Sequence, residues 1–413
     1  MPIFREEMKK DYYLSFVVLL QLIITTFQLL LPLYGLVSIE RAATLRIVVT
    51  LATFLPGIII VFQRKPKLLF LFFIGYAFFL LFNYIFYPAS HEFIESSRAY
   101  TLTPISILTV LFVVSIRDFD NFLRVLLYIS RLCPLVGALY VFGMKVMPFV
   151  DEESTYSMSF GYSFLLPTLF LFHQDKLVDK VLSLLLLMMI LADGSRGPVI
   201  VCALFYMYEL LFATKAKNKV KVLALFVVLV ATSVWILTKS DYMESSRTLI
   251  LAMNGELVSH DSGRTDMLYV PAIKKIEESP VLGWGIGSDR DLLGFYTHNV
   301  FLEVFMHYGY FGGGILFLFY FINCVRAFNK KNKLALQGGR SLYIMLFLFG
   351  FVPLLVSGSY LISFHFAVLI GYMIRLFKIR LPRKNSEYDS SIVLDSNILT
   401  QAPVITANSK AFV

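Results

Sequence analysis

Runs of about 20 apolar residues recur along almost the whole of this 413-residue chain, separated by short charged connections. A helix of that length spans roughly 30 Å, the hydrocarbon thickness of a bilayer. In lipid each backbone polar group must find its partner inside the spanning structure, and a helix meets that demand alone. The pattern therefore dictates an all-α polytopic membrane protein. Composition agrees, with 58% hydrophobic and 16% aromatic residues, more than a water-facing surface can hide.

Twelve spans are expected, at 13–36, 44–62, 67–87, 101–116, 122–147, 156–173, 177–193, 196–214, 219–238, 297–327, 340–357 and 359–377. Their connections alternate in charge. One set carries Arg64, Lys65 and Lys67, then Arg117 and Arg124, Lys176 and Lys180, a lysine group from Lys215 to Lys221, and Arg326 with Lys330. The other set is poor in cations and carries Glu92, Glu95, Asp151, Glu152 and Glu153. Basic loops stay in the cytoplasm, so the first set and both termini are expected there. The chain divides into nine transmembrane helices (1–238), a long periplasmic loop with an amphipathic helix (239–297), three more spans (298–377) and a disordered cytoplasmic tail (378–413).

The net charge of +9 is a product of those cytoplasmic loops and does not point to nucleic acid. The first apolar run is long and followed by others, so it is expected to remain as a helix and not to be cleaved. Cys133, Cys202 and Cys324 lie in apolar stretches without the spacing of a metal site or a redox pair, and read as buried free thiols.

Three basic residues stand out because the charge pattern puts all of them on the outer face. Arg196 lies in the tight turn Asp193-Gly194-Ser195-Arg196-Gly197-Pro198 between spans seven and eight. Pro198 suits the first turn of a helix, so Arg196 stands at a positive helix end that favours an anion. Arg264, in Ser262-Gly263-Arg264-Thr265-Asp266, precedes an apolar series Met267, Val270, Ile273 and Ile276. That spacing predicts an amphipathic helix with Lys274, Lys275, Glu277 and Glu278 on its wet side. His298 opens span ten with Asn299, and Gly309, Gly312, Gly313 and Gly314 follow at a spacing suited to close helix packing. A neutral imidazole there is a candidate general base. Between them, Gly283-Trp284-Gly285-Ile286-Gly287 lacks the preceding strand of a nucleotide loop and reads as a tight interfacial turn.

The ordered set GSRG, SGRTD, SPVLGWGIG and HNVFLEVFMHYGYFGG resembles the O-antigen polymerase and O-antigen ligase superfamily. The resemblance implies a GT-C-like, metal-independent glycosyltransferase of the bacterial inner membrane, with no cofactor. It would work at the periplasmic face on undecaprenyl-pyrophosphate-linked oligosaccharide, as donor and acceptor. Carried over residue by residue, Arg196 and Arg264 would bind the pyrophosphate and stabilise it as it leaves, and His298 would take the proton from the attacking hydroxyl. Asn299 and Glu303 are candidate supports, the latter by orienting His298 or Asn299. Arg131, a charge inside span five, is a candidate for lipid phosphate. A chain-length regulator is a candidate partner.

The motifs do not separate a polymerase, whose acceptor is another lipid-linked repeat unit, from a ligase, whose acceptor is lipid A-core. The long loop mixes Lys239, Arg247, Lys274, Lys275 and Arg290 with Asp241, Glu244, Glu256, Asp261, Asp266, Glu277, Glu278, Asp289 and Asp291. A balance that acidic suits a polymerase better than a protein that must hold an anionic core. A transporter is the alternative from another class. It calls for ionisable residues at the midplane, where this chain offers chiefly Arg131 and His365.

Overall fold

The computed structural model describes residues 2–146, 158–193, 195–213, 227, 265–329, 339–356 and 358–378. Among them there is no strand. The helices are α1 (Pro2–Leu33), α2 (Ile39–Arg64), α3 (Pro66–Phe86), α4 (His91–Glu95), α5 (Ser97–Tyr100), α6 (Leu102–Ser115), α7 (Phe119–Val146), α8 (Met158–His173), α9 (Leu177–Ala192), α10 (Arg196–Tyr208), α11 (Val270–Glu278), α12 (Ser288–Leu293), α13 (Val300–Asn329), α14 (Gly339–Val356) and α15 (Phe364–Lys378).

Seven helical segments are long and apolar enough to cross a membrane: α1, α2, α3, the stretch Ser97–Ser115, α7, α13 and α14. Helices also lie within the expected spans 156–173, 177–193, 196–214 and 359–377, but these are shorter than the seven. The ninth span (219–238) apart from residue 227, the loop from 239 to 264 and the tail from 379 lie outside the described residues. The shorter α8 is buried on all sides from Phe160 to Phe172, which makes it a central post that other helices surround. By contrast α3 turns Phe70, Leu71, Ile74, Phe78 and Ile85 outward. That greasy exterior suits a hydrocarbon solvent and no other. All three cysteines are free.

The two ends of the bundle differ. At one, Arg64 pairs with Asp11 (2.5 Å) and Glu7 (2.7 Å), and Arg375 donates to the carbonyls of Ile116 and Arg117. These residues share the side that charge bias assigns to the cytoplasm. At the other end, the Ile286 N–H donates to Asn83 Oδ1 near the end of α3 (2.9 Å), and Phe93 of α4 packs so tightly under Gly287 that no side chain fits there. The connections expected outside thus meet each other.

Helix α13 is not one straight span. At Gly309 the backbone adopts φ 64° and ψ −179°, a combination open only to glycine. Phe301 and Phe317 are 16 residues apart, about 24 Å along a straight helix, yet their ring centroids are 4.7 Å apart. Each side of Gly309 contributes about 12 Å to that contact, so the chain must reverse sharply. The first arm (300–308) folds back along the second (310–329). Gly313 gives Phe305 its seat, since a Cβ there would meet the Phe305 ring. The close packing expected of these glycines is therefore between two arms of one element.

The break frees carbonyls, and the glycine-rich turn takes them. Trp284 N–H donates to Met306 O (2.8 Å), Gly285 N–H to His307 O (2.9 Å), and Tyr310 N–H to Pro280 O. The two segments approach backbone to backbone: a side chain on Gly283 would strike the main chain of His307–Gly309, and one on Gly309 that of Val281 and Leu282.

In α11 the structure corrects the expected apolar stripe. Ala272 and Ile276 are buried, whereas Met267 is 73% exposed and Val270 and Ile273 also face outward. The helix packs through positions four apart, and Trp284 Nε1 ties it down at Lys275 O (2.7 Å). Of the three-residue series only Ile276 is on the packed face, and Met267, Val270 and Ile273 lie on the other.

Candidate active site

His298 stands just before the first arm of α13. Asn299 caps that arm, its Oδ1 accepting from the N–H groups of Phe301 (3.0 Å) and Leu302 (3.4 Å). An asparagine here satisfies donors that the helix cannot. So Asn299 has a structural task, and His298 is held at a fixed distance from a helix start. His298 is the one described non-glycine residue with positive φ, 54°, a conformation that bulky residues seldom adopt without a reason. Its half-buried ring lies 3.9 Å from that of Tyr296.

Arg196 is the first residue of α10, and its position is described by its backbone. Ser195 precedes it as the cap residue, with Oγ donating to Asp193 Oδ2 (2.6 Å). Pro198 falls in the first turn, as expected. The turn is pressed against α8: a side chain on Gly161 would strike Ser195, and one on Gly197 would strike the Tyr162 hydroxyl. Arg264 lies outside the described residues.

A cavity of about 360 Å³ joins these elements. Tyr162, which touches Gly197, lines it, and so does Tyr296, which lies against His298. The start of α10 thus borders this space through Tyr162, and the His298 segment borders it through Tyr296, while His298 itself is not among the described lining residues. That space lies at the bundle end assigned to the outside, among the first residues of α6, α8 and α15 and the last of α14. Its wall offers hydroxyls from Thr50, Ser106, Ser163 and Ser363, with Arg46 and His365 as its cationic or titratable members. Such a lining can hydrogen-bond a sugar and hold a negative charge.

Behind Tyr296 sits a fully buried polar cluster that the sequence reading passed over. Asp289 accepts from Arg290 Nη1 (2.8 Å) and from the Thr297 N–H (3.2 Å), and lies 3.1 Å from His307 Nε2. Arg290 Nη2 donates to Ser359 Oγ (3.0 Å), and Nη1 lies 3.7 Å from Glu303 Oε1. Glu303 in turn accepts from Ser359 Oγ and the Tyr360 N–H. His307 Nδ1 bonds the Tyr360 hydroxyl (2.8 Å). The guanidinium is sandwiched by the rings of Phe93 and Tyr296. Burial raises the Asp289 carboxyl's pKa, but the hydrogen bond to His307 and the charge of Arg290 outweigh it and hold it below its ordinary value.

Two expectations change here. Glu303 does not turn to His298 or Asn299; its carboxylate belongs to Ser359, Tyr360 and Arg290. Asp289 and Arg290, counted as solvated loop charges, are buried and paired. Their sequence signal was slight: adjacent opposite charges one residue after the Gly283–Gly287 turn. His307 gave the other, being two residues before the glycine that breaks α13.

Asp289, Glu303 and His307 bring ligand atoms within 4.8 Å of one another, the spacing of a metal site. Arg290 Nη1 lies beside two of them, 2.8 Å from Asp289 Oδ1 and 3.7 Å from Glu303 Oε1. Arg131 is likewise engaged: it forms a bidentate pair with Asp179 (2.7 and 2.9 Å) near the start of α9. Arg196 follows the far end of α9, about 20 Å away along the helix axis. Arg131 is thus removed from the cavity and carries a structural ion pair.

Residues 181–318 match a family model described as O-antigen ligase. The match takes in Arg196, Arg264, His298 and the Asp289–His307 cluster, and leaves out Arg46, Ser359 and His365. No curated protein matches the chain.

Proposed function

We propose that this protein, whose stretch 181–318 belongs to the O-antigen polymerase and ligase superfamily, is a surface-polysaccharide polymerase of the bacterial inner membrane. It transfers an undecaprenyl-pyrophosphate-linked glycan onto a new lipid-linked repeat unit at the periplasmic face. The observation that supports this reading is a hydroxyl-lined cavity bordered by Tyr162, which abuts Gly197 at the α10 start, and by Tyr296, whose ring lies against that of His298.

In this reading twelve spans with cytoplasmic termini put that cavity outside. Arg196, at a helix N-terminus, and Arg264 hold the donor's pyrophosphate. His298 takes the proton of the acceptor hydroxyl as the hydroxyl oxygen bonds the anomeric carbon. The bond from that carbon to the pyrophosphate oxygen breaks, and the electron pair leaves with the lipid pyrophosphate. Two guanidiniums are worth most at that moment, when charge on the leaving oxygen grows. The proton acceptor and the charge stabilisers are then separate groups, and no step calls for a metal.

A ligase would use the same pyrophosphate and proton sites. The acidic balance of the outer loop favours the polymerase, and burial of Asp289 and Arg290 removes one charge of each sign without changing it.

Deletion and complementation test the reading. Loss of a polymerase leaves lipid A-core carrying a single repeat unit, whereas bare core would reassign the protein as a ligase. Arg196→Ala, Arg264→Ala and His298→Ala should each lower polymer at least 100-fold while the protein still accumulates in the membrane. Full polymer from His298→Ala would remove it as the base.

A further inference from the structure

His298 holds a backbone conformation, φ 54°, that a residue with a side chain keeps only where its neighbours enforce it. Here they enforce it from both sides. Thr297, just before it, is fully buried. Its N–H donates to Asp289 Oδ2 (3.2 Å), and its Oγ1 reaches past His298 to donate to Asn299 O (3.2 Å). Asn299, just after it, is fastened in turn. Its carbonyl also accepts from the Glu303 N–H (2.9 Å), and its side chain caps the first arm of α13. The strained residue thus sits between two pinned ones, with its ring against that of Tyr296.

The two oxygens of Asp289 face different ways. Oδ1 turns inward, to Arg290 Nη1 (2.8 Å) and His307 Nε2 (3.1 Å). Oδ2 turns to the His298 segment and takes the Thr297 N–H. The inner side is fast, since Phe93 packs under Gly287 and against the Arg290 guanidinium, and Ser359 Oγ accepts from Arg290 Nη2. The same guanidinium lies beneath the Tyr296 ring. Hydrogen bonds to a buried carboxylate are strong and directional. A reacting group needs such a support, because a displacement of about 1 Å can cost about 100-fold in rate.

We propose that Asp289 is a positioning residue for His298. Anchored by Arg290 on one oxygen, it holds the Thr297 N–H on the other and so fixes where the imidazole stands. The Thr297 hydroxyl completes the device by closing the chain over His298. This role rests on the reading that His298 is the base, and it is the same whether the acceptor is a lipid-linked repeat unit or lipid A-core.

The test reads glycan product per unit of membrane-accumulated full-length protein in a deletion strain, where the cell supplies its own substrates. Asp289→Asn keeps the side chain's size, but its single oxygen cannot accept from both Arg290 and Thr297. It should lower product by about tenfold or more. In the His298→Ala background it should cause no further loss, because it acts through the imidazole. A loss that recurs in full in that background overturns the proposal, and so does wild-type product from Asp289→Asn alone. Thr297 supplies a check that does not depend on the folding of Asp289→Asn. Thr297→Val fills the same buried space without the hydroxyl, and Thr297→Ser keeps the hydroxyl without the methyl. The Ser variant should make about fivefold more product than the Val variant, the worth of one hydrogen bond. The Val variant should nonetheless have the equal or higher thermal midpoint, having no void to carry. Product that follows the midpoint instead overturns the proposal. Full product from His298→Ala is a different failure, which removes the base itself and the positioning role with it.

Discussion

Arg290 and Arg46 are both arginines held inside an apolar bundle, and they stand on either side of one wall. Arg290 has everything it needs within the chain: Asp289 and Glu303 for charge, Ser359 for a hydrogen bond, and two aromatic faces. Arg46 has a glutamine amide and an open cavity. A cation with its counter-ions built in is scaffold, because its energy is spent on holding the fold. Arg46, with no ion pair among the described residues, has only a neutral partner to hold it. Burial is common to both arginines, and the surroundings make the difference.

Removing Arg290 should give the largest effect. Arg290→Ala strands the buried Asp289 carboxylate and should cost about 3–5 kcal/mol, seen as a fall in the thermal midpoint in detergent and poor accumulation in the membrane. Arg46→Gln should leave the midpoint unmoved; equal losses in the two variants would erase the contrast. Gly309→Ala comes next, at about 3 kcal/mol, because the new Cβ meets Val281 in a backbone conformation closed to alanine. It should reduce activity with stability, since the reversal positions His298.

Asp289→Asn should cost about 1–3 kcal/mol. The folded protein holds the Asp289 carboxyl below the value it has in the unfolded chain. Its contribution to stability is therefore complete above about pH 4 and is lost as the pH falls through the folded value. In the Asn variant that part of the acid dependence should vanish, and an unchanged pH profile would show that Asp289 is not the group concerned. Arg131→Ala is the smallest change, about 1 kcal/mol or less for a pair one side of which is a third exposed. It should leave polymer formation near the wild-type level.

The sequence made the spans legible because a 20-residue apolar run has few alternatives. It also revealed the Arg196 turn, where Ser195 and Pro198 leave a clear helix start. It could not reveal the reversal at Gly309, since glycine in a membrane helix is equally consistent with close packing. Whether the ladder breaks depends on a distant segment, 280–285, being there to take the freed carbonyls. The Asp289–Arg290 pair was hidden for a related reason. Opposite charges side by side in a loop read as solvated unless one knows that Glu303, His307 and Ser359 converge on them. Arg46 gives no sequence sign of its surroundings; only three-dimensional neighbours reveal that it forms no ion pair among the described residues and bonds Gln28 instead.

The reversal in α13 also bears on how the molecule is made. Nine helical residues, 300–308, reach about 13 Å, less than half of the hydrocarbon thickness. No insertion machinery can stitch such an arm across a bilayer. It can settle only when the second arm, α14 and α15 are already in place to receive it. The segment that carries His298 is then among the last to find its position, and a chain cut short after Asn329 would reach the membrane without a finished active site.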